Sequence, residues 1–270
     1  MPGMPPVSRS RARTYDRLKS RAALRAEAGA IGAVVAGLDD ASLDLPTRLG
    51  GWRVRELVVH LAGALDALPR FLAAPDDGGP TSTIGDWAAG TRAGAAAIEE
   101  DAFERAAAAG DPREVFAGAV DAALAVVDAD HAPERRIVHR RGAMLLDDYL
   151  VTRLVETVVH ADDLADALAL DAFPHDRHAL ATTCRVLADA LATKAPGGAV
   201  ELRVPPFAVV QCVEGPRHTR GTPPNVVETM PLPWIRLATG RLTWADALDV
   251  AELTASGERS DLSSLLPVMT

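Results

Sequence analysis

The spacing of the apolar residues changes once along this chain, near residue 197, and this change constrains the fold more than any other feature. Before it, apolar residues recur at helical spacing between turn residues. After it, the segment GAVELRVPPFAVVQCVEG alternates and is rich in Val, which is typical of strands joined by a turn at Pro205 and Pro206. The sequence therefore predicts a helical first domain, 1–172, and a small mixed α/β second domain, 173–270, that includes its leading helix.

Turn and capping residues give the bounds of the predicted elements. The segment LDLPTRLGGW ends the first helix, Asp111 and Pro112 begin a later one, and Pro69 is expected to kink or end the second. Residues 131–144 are expected to be irregular or extended, and residues 215–229 to be rich in turns. The predicted helices cover residues 14–38, residue 52 onwards, 86–108, 112–129, 146–168 and 177–194. Short helices are predicted in LPWIRLATG and TWADALDV, and a strand in AELTASG.

The composition favours closely packed helices and argues against several classes of protein. Hydrophobic residues make up 48% of the chain and aromatic residues only 4%, so Ala, Leu and Val supply most of the core. The net charge of −9 is the opposite of the basic balance typical of nucleic-acid binders, so no nucleic-acid partner is expected. The first residues lack an apolar signal core, and the longest apolar runs are too short for a membrane span. We therefore expect a cytoplasmic protein with no membrane span.

Three residues have the types and spacing of metal ligands. Glu156 and His160 in LVETVVHADDL are four residues apart, so a helix presents both side chains on one face. His60 lies in a second helix, in the apolar segment LVVHLAG. Two histidines and one carboxylate leave an open coordination position, as in catalytic zinc sites, although non-haem iron uses the same ligand types. From spacing alone, His60 could equally be a core residue, and Glu156 with His160 an ordinary helical pair.

The two segments that carry these residues resemble a known family. GWRVRELVVHLAG and LVETVVHADDLADAL are similar to the metal-ligand motifs of the mycothiol-dependent maleylpyruvate isomerases, which are DinB-like four-helix bundles. The resemblance covers about residues 14–170 and implies a divalent metal, most simply Zn²⁺, on His60, Glu156 and His160, with mycothiol as co-substrate. The residues that match the family pattern are Trp52, Arg55, Glu56, His60, Glu156, His160 and Asp163.

The C-terminal part carries a resemblance of its own. ELRVPPFAVVQCVEGPRHTRGTPPNVVET, followed by WIRLATGRLTWADAL, resembles the sterol-carrier-like domain that actinobacterial proteins fuse to this bundle. Together the two resemblances imply an α+β fold: an N-terminal DinB-like four-helix bundle followed by a small mixed α/β sterol-carrier-like domain. The isomerases need an arginine from their C-terminal domain, and Arg241 in ATGR is the candidate for this catalytic role here.

Other polar residues are open to two interpretations each. Arg217 and Arg220 could bind a carboxylate or phosphate of a cofactor, or could be ordinary charges in an exposed turn. Asp163 could orient a ligand imidazole, or could stabilise the helix surface. The four loop histidines are interpreted as surface residues, and the two cysteines as small buried hydrophobes. The four histidines are His131, His139, His175 and His178, and the cysteines are Cys184 and Cys212.

Two hypotheses about function remain open from the sequence. In the first, the chain is a metal-dependent, mycothiol-dependent isomerase or S-transferase that acts on a small electrophilic molecule, and the C-terminal domain closes the site. In the second, it is a non-catalytic protein of the sterol-carrier type that binds a lipid or other apolar small molecule, with a structural or vestigial metal site. A tunnel lined by Phe207, Val209, Leu237 and Leu253 would favour the second. The sequence indicates no particular oligomeric state.

Overall fold

The computed structural model describes residues 13–76, 78–139, 142–219, 221 and 223–269. The described helices and strands follow the predicted order, with helices over most of the first 194 residues and a small sheet after them. The helices are α1 (Arg17–Ala36), α2 (Asp40–Leu43), α3 (Val54–Leu72), α4 (Ile84–Ala108), α5 (Pro112–Asp128), α6 (Leu146–Ala167), α7 (Arg177–Lys194), α8 (Pro231–Ala238) and α9 (Trp244–Asp249). The strands are β1 (Arg136–His139), β2 (Gly142–Leu145), β3 (Val200–Val204), β4 (Ala208–Cys212), β5 (Val226–Thr229) and β6 (Leu253–Ser256).

Local sequence explains where the main helices begin and end. The Asp16 side chain accepts a hydrogen bond from the backbone N–H of Lys19 at the start of α1, as an N-cap residue does. At the start of α3 the Glu56 carboxylate, in the first turn, accepts from the backbone N–H of Arg53 at 2.8 Å. Pro69 lies inside α3 and does not end it. The helix continues to Leu72, because a proline so near the end removes only one of the last hydrogen bonds.

The N-terminal helices bury a core of aliphatic side chains. Helices α1, α3, α5 and α6 contact one another, and α4 lies against α3. Leucines such as Leu24, Leu57, Leu61 and Leu154 are at most 1% exposed. Burial of this many side chains, at about 1.5–3 kcal/mol each, is the main force that holds α3 and α6 side by side. Among the described residues no helix is long and apolar enough to cross a membrane.

The C-terminal region is built on a four-stranded sheet in the order β4-β3-β5-β6. Strand β3 pairs antiparallel with β4 and parallel with β5, and β5 pairs antiparallel with β6. Strand β5 lies inside the stretch 215–229, which was predicted to be rich in turns with no strand, so that part of the prediction is wrong. Residues 131–144, expected to be irregular or extended, hold the antiparallel pair β1 and β2.

Helix α7 joins the two regions. It packs against α1 and α6 on the helical side and against β4 and α8 on the sheet side. Its N-cap Asp176 accepts from the backbone N–H groups of His178 and Ala179. The observed helix-rich N-terminal region and small sheet-containing C-terminal region confirm the predicted fold class. The domain boundary at residue 172 stays a prediction.

Candidate metal centre

Helices α3 and α6 bring the three predicted ligands together. The Nε2 atoms of His60 and His160 lie 3.8 Å and 3.5 Å from the same carboxylate oxygen, Oε2 of Glu156. One potential ligand atom from each of the three residues lies within 4.8 Å of the others. Two ligands of a tetrahedral Zn²⁺ are roughly 3.4 Å apart, given bond lengths of about 2.1 Å. Small side-chain adjustments therefore suffice for all three residues to share one ion.

The rings around the site limit how His60 and His160 can move. The centroid of the Trp52 ring lies 5.0 Å from that of His60, and Trp52 is buried at the entry to α3. The two imidazole rings lie 4.8 Å apart, nearly perpendicular to each other. Trp52 is thus a packing residue whose ring lies beside that of His60.

Asp163 contacts the His160 ring at Nδ1, the ring nitrogen that does not face Glu156. Its Oδ2 atom lies 2.9 Å from Nδ1 of His160, one helical turn away, and the Asp163 side chain is fully buried. The imidazole that donates from Nδ1 to a carboxylate presents the lone pair of Nε2, the atom that faces Glu156. The interpretation of Asp163 as a helix-surface residue is therefore wrong, because no part of this carboxylate reaches the surface.

Three arginines neutralise the acidic pair next to the site. The Nε and Nη2 atoms of Arg241 lie 3.1 Å and 2.9 Å from the two oxygens of Asp163, and Nε of Arg48 lies 2.7 Å from Oδ1. The adjacent Asp162 binds Arg48 and, through both oxygens, Arg236. These five residues, here called the aspartate joint, connect the loop before α3, helix α6, and the sheet-containing region at α8 and just after it.

The aspartate joint changes the role that Arg241 can have. The sequence assigned Arg241 a catalytic role as a cation in contact with a substrate. Its guanidinium is instead bound to both oxygens of Asp163 and to the Thr239 carbonyl at 2.8 Å, and its side chain is only 12% exposed. These bonds use three of its five N–H donors and tie Arg241 to Asp163, and its catalytic role stays a prediction.

The charges around the site favour ligation at neutral pH. Burial alone would raise the pKa of Glu156, but contact with His160, His60 and the cation of Arg153 holds its pKa well below the ordinary value. Burial lowers the pKa of His60, which favours the neutral imidazole that binds metals. Burial also acts to lower the pKa of His160, yet Asp163 and Glu156 outweigh it and raise that pKa. The lowered pKa values of Glu156 and His60 therefore favour the forms that bind a metal, the carboxylate and the neutral imidazole.

Arg153 is a neighbour of the site that the sequence analysis missed. Its Nη2 atom lies 3.6 Å from Oε1 of Glu156, on the side of the carboxylate away from the histidines. Its guanidinium lies 4.7 Å above the ring of Tyr149. Residues 149, 153, 156, 160 and 163 follow one face of α6 at spacings of three and four, and this periodicity is the signal that could have identified Arg153.

A cavity of about 250 Å³ opens on His60 and Glu156. Its walls come from α3, α4, β1 and α6, and all of the described residues that line it belong to the N-terminal region. The expectation that the C-terminal region closes over the metal therefore fails for this cavity. The C-terminal region instead contacts α6 through Arg236 and Arg241 of the aspartate joint. His139 lines the cavity and His175 is buried against Glu27, so neither is the surface residue predicted for it.

The remaining predicted residues are Arg217, Arg220 and the two cysteines. Arg217 is exposed in the turn after β4, where its backbone adjoins Gly198, and Arg220 lies outside the described residues. Their role in binding a cofactor stays a prediction. Cys184 and Cys212 are buried, and neither forms a disulfide, as expected of small hydrophobic residues.

The residues proposed for an apolar tunnel do not share one surface. Val209 is 60% exposed on the edge strand β4, whereas Leu237 and Leu253 are buried in the core. Phe207 is only partly buried and lies under the Arg177 guanidinium. Successive side chains of a strand point to opposite faces of the sheet, and Val209 lies on the face of β4 that is exposed at this position.

Comparisons with known proteins agree with this architecture. A sequence profile described as mycothiol maleylpyruvate isomerase N-terminal domain matches residues 24–165, more than half of the chain, and one described as bacterial SCP ortholog matches residues 176–268. The crystal structure of the mycothiol-dependent maleylpyruvate isomerase is similar, with a TM-score of 0.59 and 16% identity over 92% of this chain and 95% of that one. A histidine-to-alanine mutant of that isomerase gives a TM-score of 0.60 at the same identity and coverage. No curated protein matches the chain.

Proposed function

Because the chain belongs to the family of the mycothiol maleylpyruvate isomerase N-terminal domain, we propose that it is a metal-dependent, mycothiol-dependent isomerase or S-transferase that acts on a small electrophilic molecule. The observation that carries the proposal is the convergence of His60, Glu156 and His160 on the wall of a cavity. A catalytic metal site needs ligands that already face one another and an open side that a small molecule can reach. This arrangement has both.

The donor set fits a divalent metal, and Zn²⁺ fits it best. His60, Glu156 and His160 would hold the ion, because two imidazoles and one carboxylate are common zinc ligands. Zinc bound by three protein ligands leaves one coordination position open and lowers the pKa of a thiol or water that occupies it.

Other residues of this chain would hold the three metal ligands in position. Asp163 fixes the orientation and the tautomer of His160, and Arg48 and Arg241 fix Asp163. Arg153 supports Glu156 from the cavity side. The cavity would hold a small electrophile beside the ligands. All of these groups are in place before a metal or substrate arrives, which reduces the reorganisation needed for catalysis.

A second candidate function rests on the C-terminal region. The match to the bacterial SCP ortholog profile favours binding of an apolar ligand by residues 173–270, which we propose as a separate domain from residues 1–172. This candidate does not require the metal ligands to face a cavity. It therefore gives no reason why His60 and Glu156 line one. The catalytic candidate accounts for both and is preferred.

The proposed binding of mycothiol to the metal is tested by visible spectroscopy on the cobalt-substituted protein. We expect mycothiol to perturb the visible spectrum and add a charge-transfer band, because a sulfur ligand occupies the open position. Glutathione should do so much less. The H60A variant is the control and should show no such band with either thiol. Absence of any spectral change with millimolar mycothiol would refute the thiol-dependent function, and displacement of a fluorescent fatty acid from the full chain would then test the second candidate.

A further inference from the structure

The cavity has charged side chains at its rim and buried side chains inside. Arg70, Asp101 and Arg105 line it, and their side chains are between 34% and 45% exposed. Trp87 and Ala102 also line it, and both are buried. The three charged residues therefore lie where the cavity meets solvent, and a molecule that enters at that point passes them before it reaches the metal ligands.

Arg105 is the rim residue close to His60. Its guanidinium lies over α3 at Gly63, where a Cβ would be 3.1 Å from Nη1 of Arg105. Gly63 follows His60 by three residues on α3, so the two share one helix face, and both line the cavity. Arg70 lies seven residues beyond Gly63 on the same helix. Arg105 is thus placed beside a metal ligand, and Arg70 is placed about two helical turns away from it.

Two features keep the Arg105 guanidinium in this position. Its Nε atom lies 2.8 Å from Oδ2 of Asp101, one turn earlier on α4. The other feature is Gly63, because a glycine inside a helix is less favourable than an alanine. Among the described residues, an added Cβ at Gly63 would meet only the Nη1 and Cζ atoms of Arg105. The glycine therefore leaves room for this guanidinium and for no other group of the described chain.

We propose that Arg105 controls access to the candidate metal site: it covers the cavity beside His60, and it moves aside when a ligand enters or leaves. The inference rests on the proposed function, because the covered site is the one proposed to bind the metal and the thiol. The contact is suited to such movement. An exposed ion pair such as that of Arg105 with Asp101 is weak, and a partly exposed arginine has many rotamers available.

The test measures zinc exchange on the full-length protein. The release rate is followed by stopped flow with an excess of a coloured chelator, the uptake rate by mixing metal-free protein with zinc, and the dissociation constant by competition. We expect R105A to release and to take up zinc at least fivefold faster than the wild type, with a dissociation constant within threefold, because a lower barrier speeds both directions alike. R70A is the matched control. It removes the same charge from the rim but away from Gly63, and should change both rates less than twofold.

G63A tests the position of the guanidinium without removing its charge. The added methyl group would displace Nη1, so G63A should also raise both rates. The double variant G63A/R105A should match R105A alone, because the two changes act on one contact. Full addition of the two effects in the double variant would show that Gly63 acts independently of Arg105, and would overturn the proposal.

Three further results would overturn it. The first is wild-type rates in R105A, and the second is equal acceleration in R105A and R70A. The third is faster uptake with slower release and a lower dissociation constant, because this pattern reports only the loss of a cation near the metal.

A wild type that binds no zinc would refute the proposed function, and access to the site is then measured on the metal-free protein. The measured quantity is the rate at which diethyl pyrocarbonate modifies His60, read by peptide mass spectrometry. R105A should be modified at least fivefold faster than the wild type, and R70A less than twofold faster. Equal rates in all three proteins would overturn the role of Arg105.

Discussion

Replacement of Asp163 by Asn tests the connection between the aspartate joint and the candidate metal site. Asp163 is fully buried and accepts from His160, Arg48 and Arg241 at 2.7–3.1 Å. The neutral amide leaves two buried cations without their shared partner, and removal of one partner of a buried ion pair costs about 3–5 kcal/mol. We therefore expect the free energy of unfolding of the metal-free protein to fall by about this amount in urea. Because the amide also releases the His160 ring, zinc affinity should fall about 10–100-fold, measured by competition with a chelator.

The matched control for this experiment is D166N. Asp166 lies on the same helix, 3.7 Å from Arg48, but its side chain is 47% exposed. An exposed ion pair contributes about 0–1 kcal/mol, so D166N should change stability little and zinc affinity not at all. If D163N and D166N behave alike in both measurements, the aspartate joint does not position His160, and the reasoning from its burial and contacts is wrong.

Three further predictions follow from other parts of the structure. Burial acts to raise the pKa of Asp162, but the arginines of the aspartate joint outweigh burial and hold this pKa below its ordinary value of 3.8. The stability that Asp162 contributes is therefore present above pH 3.8 and is lost as the pH falls below that value. In urea unfolding, D162N should lose less stability than the wild type between about pH 5 and pH 2. Burial raises the pKa of Cys184 to about 12, so this thiol should not react with Ellman's reagent at pH 8 until the protein unfolds. Gly257 has a φ of +98°, and a Cβ added there would clash with a backbone carbonyl, so G257A should lower the melting temperature. Gly118 lies on α5 with open space around it, so the control variant G118A should raise the melting temperature slightly.

Local patterns were sufficient to predict most of the fold. The helical spacing of apolar residues and the capping residues place α5 and α7 within one residue of their observed bounds, and α6 likewise. Strand β5 was missed because Gly and Pro dominate the segment before it, and its few Val residues pair with β3 only in the folded sheet. Parallel pairing of this kind joins residues that are distant in sequence, so no local pattern reveals it.

The site was predicted where one helix face carries it and missed where distant segments meet. Glu156 and His160 are recognisable because four residues make one helical turn. Arg48 lies in a turn-rich loop 115 residues before Asp163, and nothing in that loop indicates a partner on α6. The same is true of Arg241, which the family resemblance made the candidate for a catalytic role. Only the fold shows that its donors are bound to a buried carboxylate.

The metal content of the purified protein tests the central claim most directly. Elemental analysis should find about one zinc per chain in the wild type, far below one in H60A and H160A, and wild-type content in H139A. His139 is the control because it lines the same cavity but is not one of the three converging ligands. Both ligand variants should keep wild-type circular dichroism, since the core leucines around α3 and α6 are unchanged. Wild-type zinc content in H60A and H160A, or no zinc in the wild type after equilibration with the metal, would contradict the site as proposed.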